Sequence, residues 1–131
     1  MDGARDPELD PVEVRTLRAQ QAGPGDLLWC DGLILGTPEN FGYMSGAIKD
    51  FLDRTFYEVE GKLAPLPYAL IVGAGNDGTG AIRAVERIAN GYPFVSVQPP
   101  LVSVSSASPD ALKSARELGM TMAAGLALGM F

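Results

Sequence analysis

No histidine occurs among the 131 residues. That absence removes Ser-His-Asp and Cys-His nucleophile pairs, imidazole general bases and histidine-ligated metal together. Chemistry in such a chain is expected to come from a cofactor, with no catalytic or metal-ligating side chain of its own singled out. Cysteine is nearly missing as well. Cys30 stands alone, so no disulfide closes within the chain and no thiolate zinc cluster can be built from it. Such usage suits a reducing, cytoplasmic setting. Positive charge is scarce, with 10 Lys and Arg against 16 Asp and Glu, and the net charge of -6 argues against nucleic acid as a partner. Long apolar runs are also absent. The longest, Met120 to Phe131, is broken by Thr121 and falls far short of the roughly 20 residues that span a bilayer. Met1 to Gln20 carries Asp, Glu and Arg without an apolar centre, unlike a secretory signal.

What is present alternates between β-like runs and amphipathic segments. Residues 1–11, rich in Asp, Glu, Pro and Gly, are expected to be a disordered lead-in, followed by one domain over 12–131. Val12, Val14, Thr16 and Leu17 predict a half-buried edge strand. Asp26 is placed to cap a helical turn holding Leu27, Leu28 and Trp29. The run Gly32 to Gly36 suits a parallel strand buried on both faces. Ser45 then predicts the N-cap of a helix through about Arg54, with Lys49–Asp53 and Asp50–Arg54 as four-apart pairs on its wet side. A second strand, Tyr68 to Val72, precedes a helix bearing Ile82, Val85 and Ile88 that ends at Asn90-Gly91. Phe94 to Val97 and Leu101 to Val104, split by Pro99-Pro100, predict an interrupted edge strand. Ser108 and Pro109 open the last helix. The order predicts an α/β fold with a parallel sheet of about four strands and helices on both faces.

In such sheets ligands bind beyond the carboxyl ends of the strands. Two loops there carry suitable residues. Pro38, Glu39, Asn40, Phe41 and Gly42 combine a fixed chain direction, aromatic surface and backbone N–H groups expected to face outward. Free amides beside an aromatic ring suit a planar heterocycle better than a sugar. An ordinary surface loop whose aromatics close the core is the competing reading. Gly73, Ala74, Gly75, Asn76, Asp77 and Gly78 match Gly-x-Gly-x-x-Gly between a strand and a helix. No acidic residue follows at the end of the next strand, as a dinucleotide fingerprint requires, so the small residues are read as allowing close approach to a flat ligand. Glu39 and Asp77 are candidates for paired acid–base work, and solvated carboxylates are the default. Arg83 and Arg87 are expected on a solvated helix face, and Cys30 is expected to be structural.

The stretch from Gly36 to Arg54, with Thr-Pro-x-x-Phe-Gly-x-Met-Ser-Gly followed by Lys-x-Phe-Leu-Asp-Arg, resembles the flavodoxin-like FMN-binding family, near the NAD(P)H-dependent FMN and quinone reductases. The resemblance implies a three-layer flavodoxin-like parallel sheet. It implies FMN as cofactor, with Pro38 to Phe41 supplying amides and an aromatic edge to the isoalloxazine ring and Gly73 to Gly78 lying along its other side. It also implies NAD(P)H as reductant and a quinone or similar small molecule as acceptor. The alternatives are an electron-carrier flavodoxin and a non-catalytic interaction module that keeps the fold without flavin. A homo-oligomer is expected from exposed strand edges and from the apolar tail Leu126 to Phe131.

The resemblance implies one departure. The family opens with a strand, a Ser/Thr-rich phosphate loop and a helix, and Val12 to Leu17 looks like its second strand, so the fold is expected to be N-terminally truncated and incomplete. In strand order 2-1-3-4-5 the absent strand is central. Three outcomes are foreseen: exposed edges on the Gly32–Thr37 strand, direct closure of Val12–Leu17 onto it, or a second copy filling the gap.

Overall fold

The computed structural model describes residues 1–105 and 107–131. The continuous apolar runs become strands β1 (Leu33–Pro38) and β2 (Leu66–Ala74), and the two runs flanking Pro99-Pro100 become β3 (Phe94–Ser96) and β4 (Leu101–Val104). All pairings are parallel. β2 is central: β1 lies along one side, with Leu35 opposite Leu70 and Pro38 opposite Gly73. β3 and β4 lie end to end along the other, Leu66–Tyr68 facing the first and Ile71–Ala74 the second. The two prolines therefore break an edge strand without removing it, as an outer position allows.

Helices α1 (Pro24–Trp29), α2 (Gly46–Val59), α3 (Thr79–Gly91) and α4 (Pro109–Ala127) cover the sheet. Side chains of β2 alternate between its faces. Tyr68, Leu70, Val72 and Ala74 join Leu52 and Val59 of α2 and Val85 of α3 in one core cluster. Ala69 and Ile71 join Leu118 and Met122 of α4 in a second. The result is a three-layer α/β/α, flavodoxin-like architecture.

Caps fix the helix starts. Ser45 Oγ accepts the Ile48 N–H at 3.2 Å, and Ser108 Oγ accepts the Ala111 N–H at 3.1 Å with Pro109 in the first turn. Asp26 sits inside α1 rather than at its cap and accepts the Gly23 N–H at 2.9 Å. Lys49 meets Asp53 at 2.6 Å and Arg54 meets Asp50 at 2.7 Å on the outer side of α2. Arg54 also donates to the carbonyls of Ala19 and Ala22, which ties the segment before α1 to α2. Inside the core, the buried Thr55 and Tyr92 hydroxyls lie 2.6 Å apart, and Tyr92 also donates to the Leu52 carbonyl. Burial pushes the Tyr92 phenol above its ordinary pKa.

Ahead of the sheet, Asp2–Arg5 form a 3-10 turn against α4, where Gly3 and Ala4 are buried and Asp6 pairs with Arg116 at 2.6 Å. One expectation is corrected: Val12 to Leu17 forms no strand. Val12 and Val14 are half-buried and Glu13 and Arg15 exposed, so the alternation is present, but the segment has no neighbour to pair with. It does not close onto β1. No helix among the described residues is long and apolar enough to cross a membrane.

Candidate functional site

The turn after β1 is shaped by its own hydrogen bonds. Buried Thr37 donates through Oγ1 to the Pro38 carbonyl and accepts the Ser45 N–H at 2.9 Å, which sets the mouth of the loop. Asn40 and Tyr43 exchange backbone bonds of 2.9 and 3.0 Å, closing a tight turn with Phe41 and Gly42 at its tip. Both tip residues have positive φ, 52° and 70°. Two successive left-handed residues make the hairpin turn for which glycine is favoured, and Phe41 adopts it with its ring fully exposed. The outward-facing amides are fewer than expected. The Glu39 N–H donates to the Gly73 carbonyl at 2.8 Å and the Asn40 N–H is used within the turn.

The second loop lies against the first. A side chain at Gly80 would strike the Gly42 carbonyl, so the turn tip rests on the start of α3 and only glycine fits between them. Glu39 Oε2 accepts the Ala81 N–H at 3.1 Å, and Asp77 Oδ1 accepts the Thr79 N–H at 3.0 Å. Helix α3 has Gly78 at its N-cap, which offers no side chain, so these two carboxylates satisfy its first-turn amides. The Thr79 backbone N–H holds the Asp77 carboxyl below its ordinary pKa. Glu39 and Asp77 thus meet one helix terminus, where both carboxylates act as caps of α3. Asn76 Oδ1 accepts the Gly78 N–H at 3.1 Å, which turns the chain into the helix with Gly78 at φ 71°.

Between these loops and the end of β4 lies open backbone. Gly36, Pro38, Ile71 and Gly73 share one sheet face by register, the face on which Ile71 packs toward α4. A side chain added at Gly36, Gly73 or Gly75 would meet no atom within 4 Å. Gly73, Ala74 and Gly75 border an open cavity of about 510 Å³, flanked on its far side by Ser103, Ser105 and Ala107. Ser105, at φ 69°, donates its N–H to the Ala74 carbonyl at 2.7 Å. These serines went unread in the sequence. Their signal was the same one that marked the other loops, a turn leaving the carboxyl end of a parallel strand, but the broken strand before them drew attention to the prolines. Arg83 and Arg87 are exposed on α3, and Cys30 is half-buried with its thiol pushed up by burial and by Asp31, both as expected. Among the described residues no cluster of three or more Cys, Asp or Glu could hold a metal ion.

Similar proteins agree with this architecture. A flavodoxin from the domain Archaea superposes with a TM-score of 0.74 at 15% identity, covering 93% of this chain and 81% of its own. A WrbA-like flavodoxin from Agrobacterium tumefaciens superposes with a TM-score of 0.67 at 20% identity, covering 76% and 68%. A protein named flavodoxin from Aquifex aeolicus is 39% identical over 67 residues, 48% of this chain and 35% of the relative. One named NAD(P)H dehydrogenase (quinone) from Acidithiobacillus ferrooxidans is 42% identical over 62 residues, 42% of this chain and 31% of the relative. The matches thus span about a third of the length of these curated relatives. The model of the family described as NADPH-dependent FMN reductase matches residues 11–109, which hold all four described strands and both loops, and the chain belongs to that family.

Proposed function

We propose that this chain carries the ring-binding side of an FMN-dependent oxidoreductase that passes electrons from NAD(P)H to a quinone or similar small acceptor. The observation that carries the reading is the bare surface of Gly36, Gly73 and Gly75 at the carboxyl ends of two neighbouring parallel strands. A Cβ at any of the three would stand in that space, so the residue types fit a flat ligand approaching the backbone. The adjoining cavity of about 510 Å³ lies within the roughly 300–1,000 Å³ usual for cofactor sites.

In this reading Gly73 to Gly78 lines one side of the isoalloxazine ring of FMN. Pro38, Glu39, Asn40, Phe41 and Gly42 border it on the other, with Phe41 offering an exposed aromatic face. Ser103 and Ser105 line the same space. Bound FMN would supply two-electron transfer between a nicotinamide and an acceptor. The chain's own part is to hold the ring, exclude water from one face and keep Glu39 and Asp77 engaged at α3, away from proton traffic. A Ser/Thr-rich phosphate loop has no counterpart beside β1 among the described residues. Each charge-assisted bond to a phosphate is worth about 1.5–3 kcal/mol, so ring contacts would dominate affinity.

Fluorescence titration of the purified chain with FMN and, separately, with riboflavin tests the reading. Both flavins are expected to bind, with similar affinities, and Gly73→Val is expected to weaken both at least tenfold while leaving the fold intact by circular dichroism. A protein that ignores both flavins would overturn it in favour of a flavodoxin-like interaction module. Flavin binding without NADPH oxidation in the presence of a quinone would instead indicate an electron carrier.

A further inference from the structure

One residue ties together the two loops that border the flavin space. Glu39 stands at the start of the turn after β1 and is half-buried. Its backbone N–H donates to the Gly73 carbonyl at the end of β2 at 2.8 Å, and its Oε2 accepts the Ala81 N–H in the first turn of α3 at 3.1 Å. A third tie lies at the tip of the turn, where the Gly42 carbonyl rests against Gly80 and leaves no space for a Cβ. Two of these three ties come from Glu39.

The two caps of α3 differ in what they connect. Asp77 accepts the Thr79 N–H from within its own loop, whereas Glu39 reaches the same terminus from 42 positions earlier in the chain. A local cap stabilises the helix alone. A cap lent by another element also fixes the distance between that element and the helix. The turn depends on such outside support. Phe41 holds φ at 52°, in the left-handed region that glycine adopts at less cost, and its fully exposed ring gains no burial that would keep it there. A backbone conformation of this kind persists where the surrounding structure over-determines it.

We propose that Glu39 is a positioning residue whose side chain clamps the Pro38–Gly42 turn to the start of α3 and so sets the separation of the two walls that receive the flavin ring. The inference rests on the flavin reading above. The carboxylate, engaged at α3, acts through the turn and not on the flavin itself. Binding groups must be held to within about 0.5 Å of their productive geometry, so a turn released from α3 loses affinity even when the fold survives. The clamp requires reach and an acceptor oxygen rather than charge. Glutamine keeps both, whereas aspartate keeps the charge and is one methylene too short.

Glu39→Ala, Glu39→Asp and Glu39→Gln in the full chain test this, with Val59→Ala as a control that opens the core at the far end of α2 without touching either loop. In the absence of flavin, hydrogen exchange at the Asn40 amide, which is bonded within the turn, is expected to speed at least tenfold in the Ala and Asp variants and to stay within threefold in Glu39→Gln. In fluorescence titration with FMN, the Ala and Asp variants are expected to bind at least tenfold more weakly. Glu39→Gln and the less stable Val59→Ala are expected to stay within threefold of the wild type. Gly80→Ala, which drives a Cβ against the Gly42 carbonyl, is expected to weaken FMN binding at least tenfold with Glu39 intact. If Glu39→Ala fails to fold, the Asp and Gln variants decide. Loss of affinity in Glu39→Gln with full affinity in Glu39→Asp would overturn the proposal in favour of a purely electrostatic cap, and equal losses in Val59→Ala and Glu39→Ala would overturn it in favour of general stability. Unchanged Asn40 exchange in both the Ala and Asp variants would overturn it without reference to flavin. A wild-type chain that ignores FMN would overturn it together with the flavin reading, whereas wild-type binding that both Glu39→Ala and Glu39→Asp leave intact would overturn the proposal alone.

Discussion

The two flanks of the sheet present opposite cases. Phe94–Val104 contains Pro99 and Pro100, yet both of its pieces pair with β2. Val12–Leu17 contains no proline and alternates cleanly between half-buried and exposed positions over its first four residues, yet it pairs with no strand among the described residues. Local pattern prepares a segment to be a strand, but only a neighbour supplying N–H and C=O groups makes it one. The poor candidate has the exposed side of β2 beside it, and the good one has an open groove.

The largest expected effect separates the two flanks by stability. Leu70, fully buried on β2, anchors the paired side. Leu70→Ala is expected to cost about 2–5 kcal/mol, whereas Val14→Ala in the unpaired segment is expected to cost about 0.5 kcal/mol. Urea unfolding of both variants measures this. Equal losses would mean that Val12–Leu17 shares the core's cooperativity, and the contrast would fail.

Tyr92, just before β3, sharpens the contrast from the paired side. Tyr92→Phe removes the hydroxyl that meets Thr55 and Leu52 inside the core and is expected to cost about 1–3 kcal/mol. Burial raises the phenol pKa in the folded state above its ordinary value of 10.0. The corresponding stability is fully present below the unfolded pKa and is lost as pH rises through the folded one. Unfolding curves measured above pH 10 are expected to show a decline in the wild type that is reduced in Tyr92→Phe.

A smaller effect lies at the loop that β1 feeds. Ser45→Ala removes the N-cap of α2 and is expected to cost about 1 kcal/mol. The smallest concerns Asp77, whose carboxyl is exposed and held below the ordinary value of 3.8 by the Thr79 N–H. A depressed carboxyl contributes above its unfolded pKa and loses its contribution as pH falls through the folded one. Asp77→Asn is therefore expected to lower stability slightly at neutral pH and to flatten its acid dependence, so that the difference from the wild type shrinks as pH falls, as thermal unfolding across pH 2–7 would show.

Much of this was legible in the sequence because it rests on local chemistry. Ser45 and Ser108 cap helices where an N-cap hydroxyl precedes an apolar period, and the pairs on α2 follow from four-residue spacing. The two candidate loops were legible because both leave buried parallel strands. Their contact through Gly42 and Gly80 was not, since it joins residues on separate elements. The same reason hid the capping roles of Glu39 and, in part, Asp77. A carboxylate 42 positions before the amide it accepts leaves no spacing signal. The Val12–Leu17 strand failed for the matching reason, since its partner is a matter of topology.

The central claim is that flavin meets this chain at the carboxyl ends of β1 and β2. Residue-resolved NMR during titration with FMN tests it most directly. The amides of Asn40 to Tyr43, Gly73 to Gly78 and Ser105 are expected to shift together and saturate at one equivalent, while those along α2 stay in place. Saturating shifts confined to the groove between β1 and Val12–Leu17, or no saturating shifts at all, would contradict it.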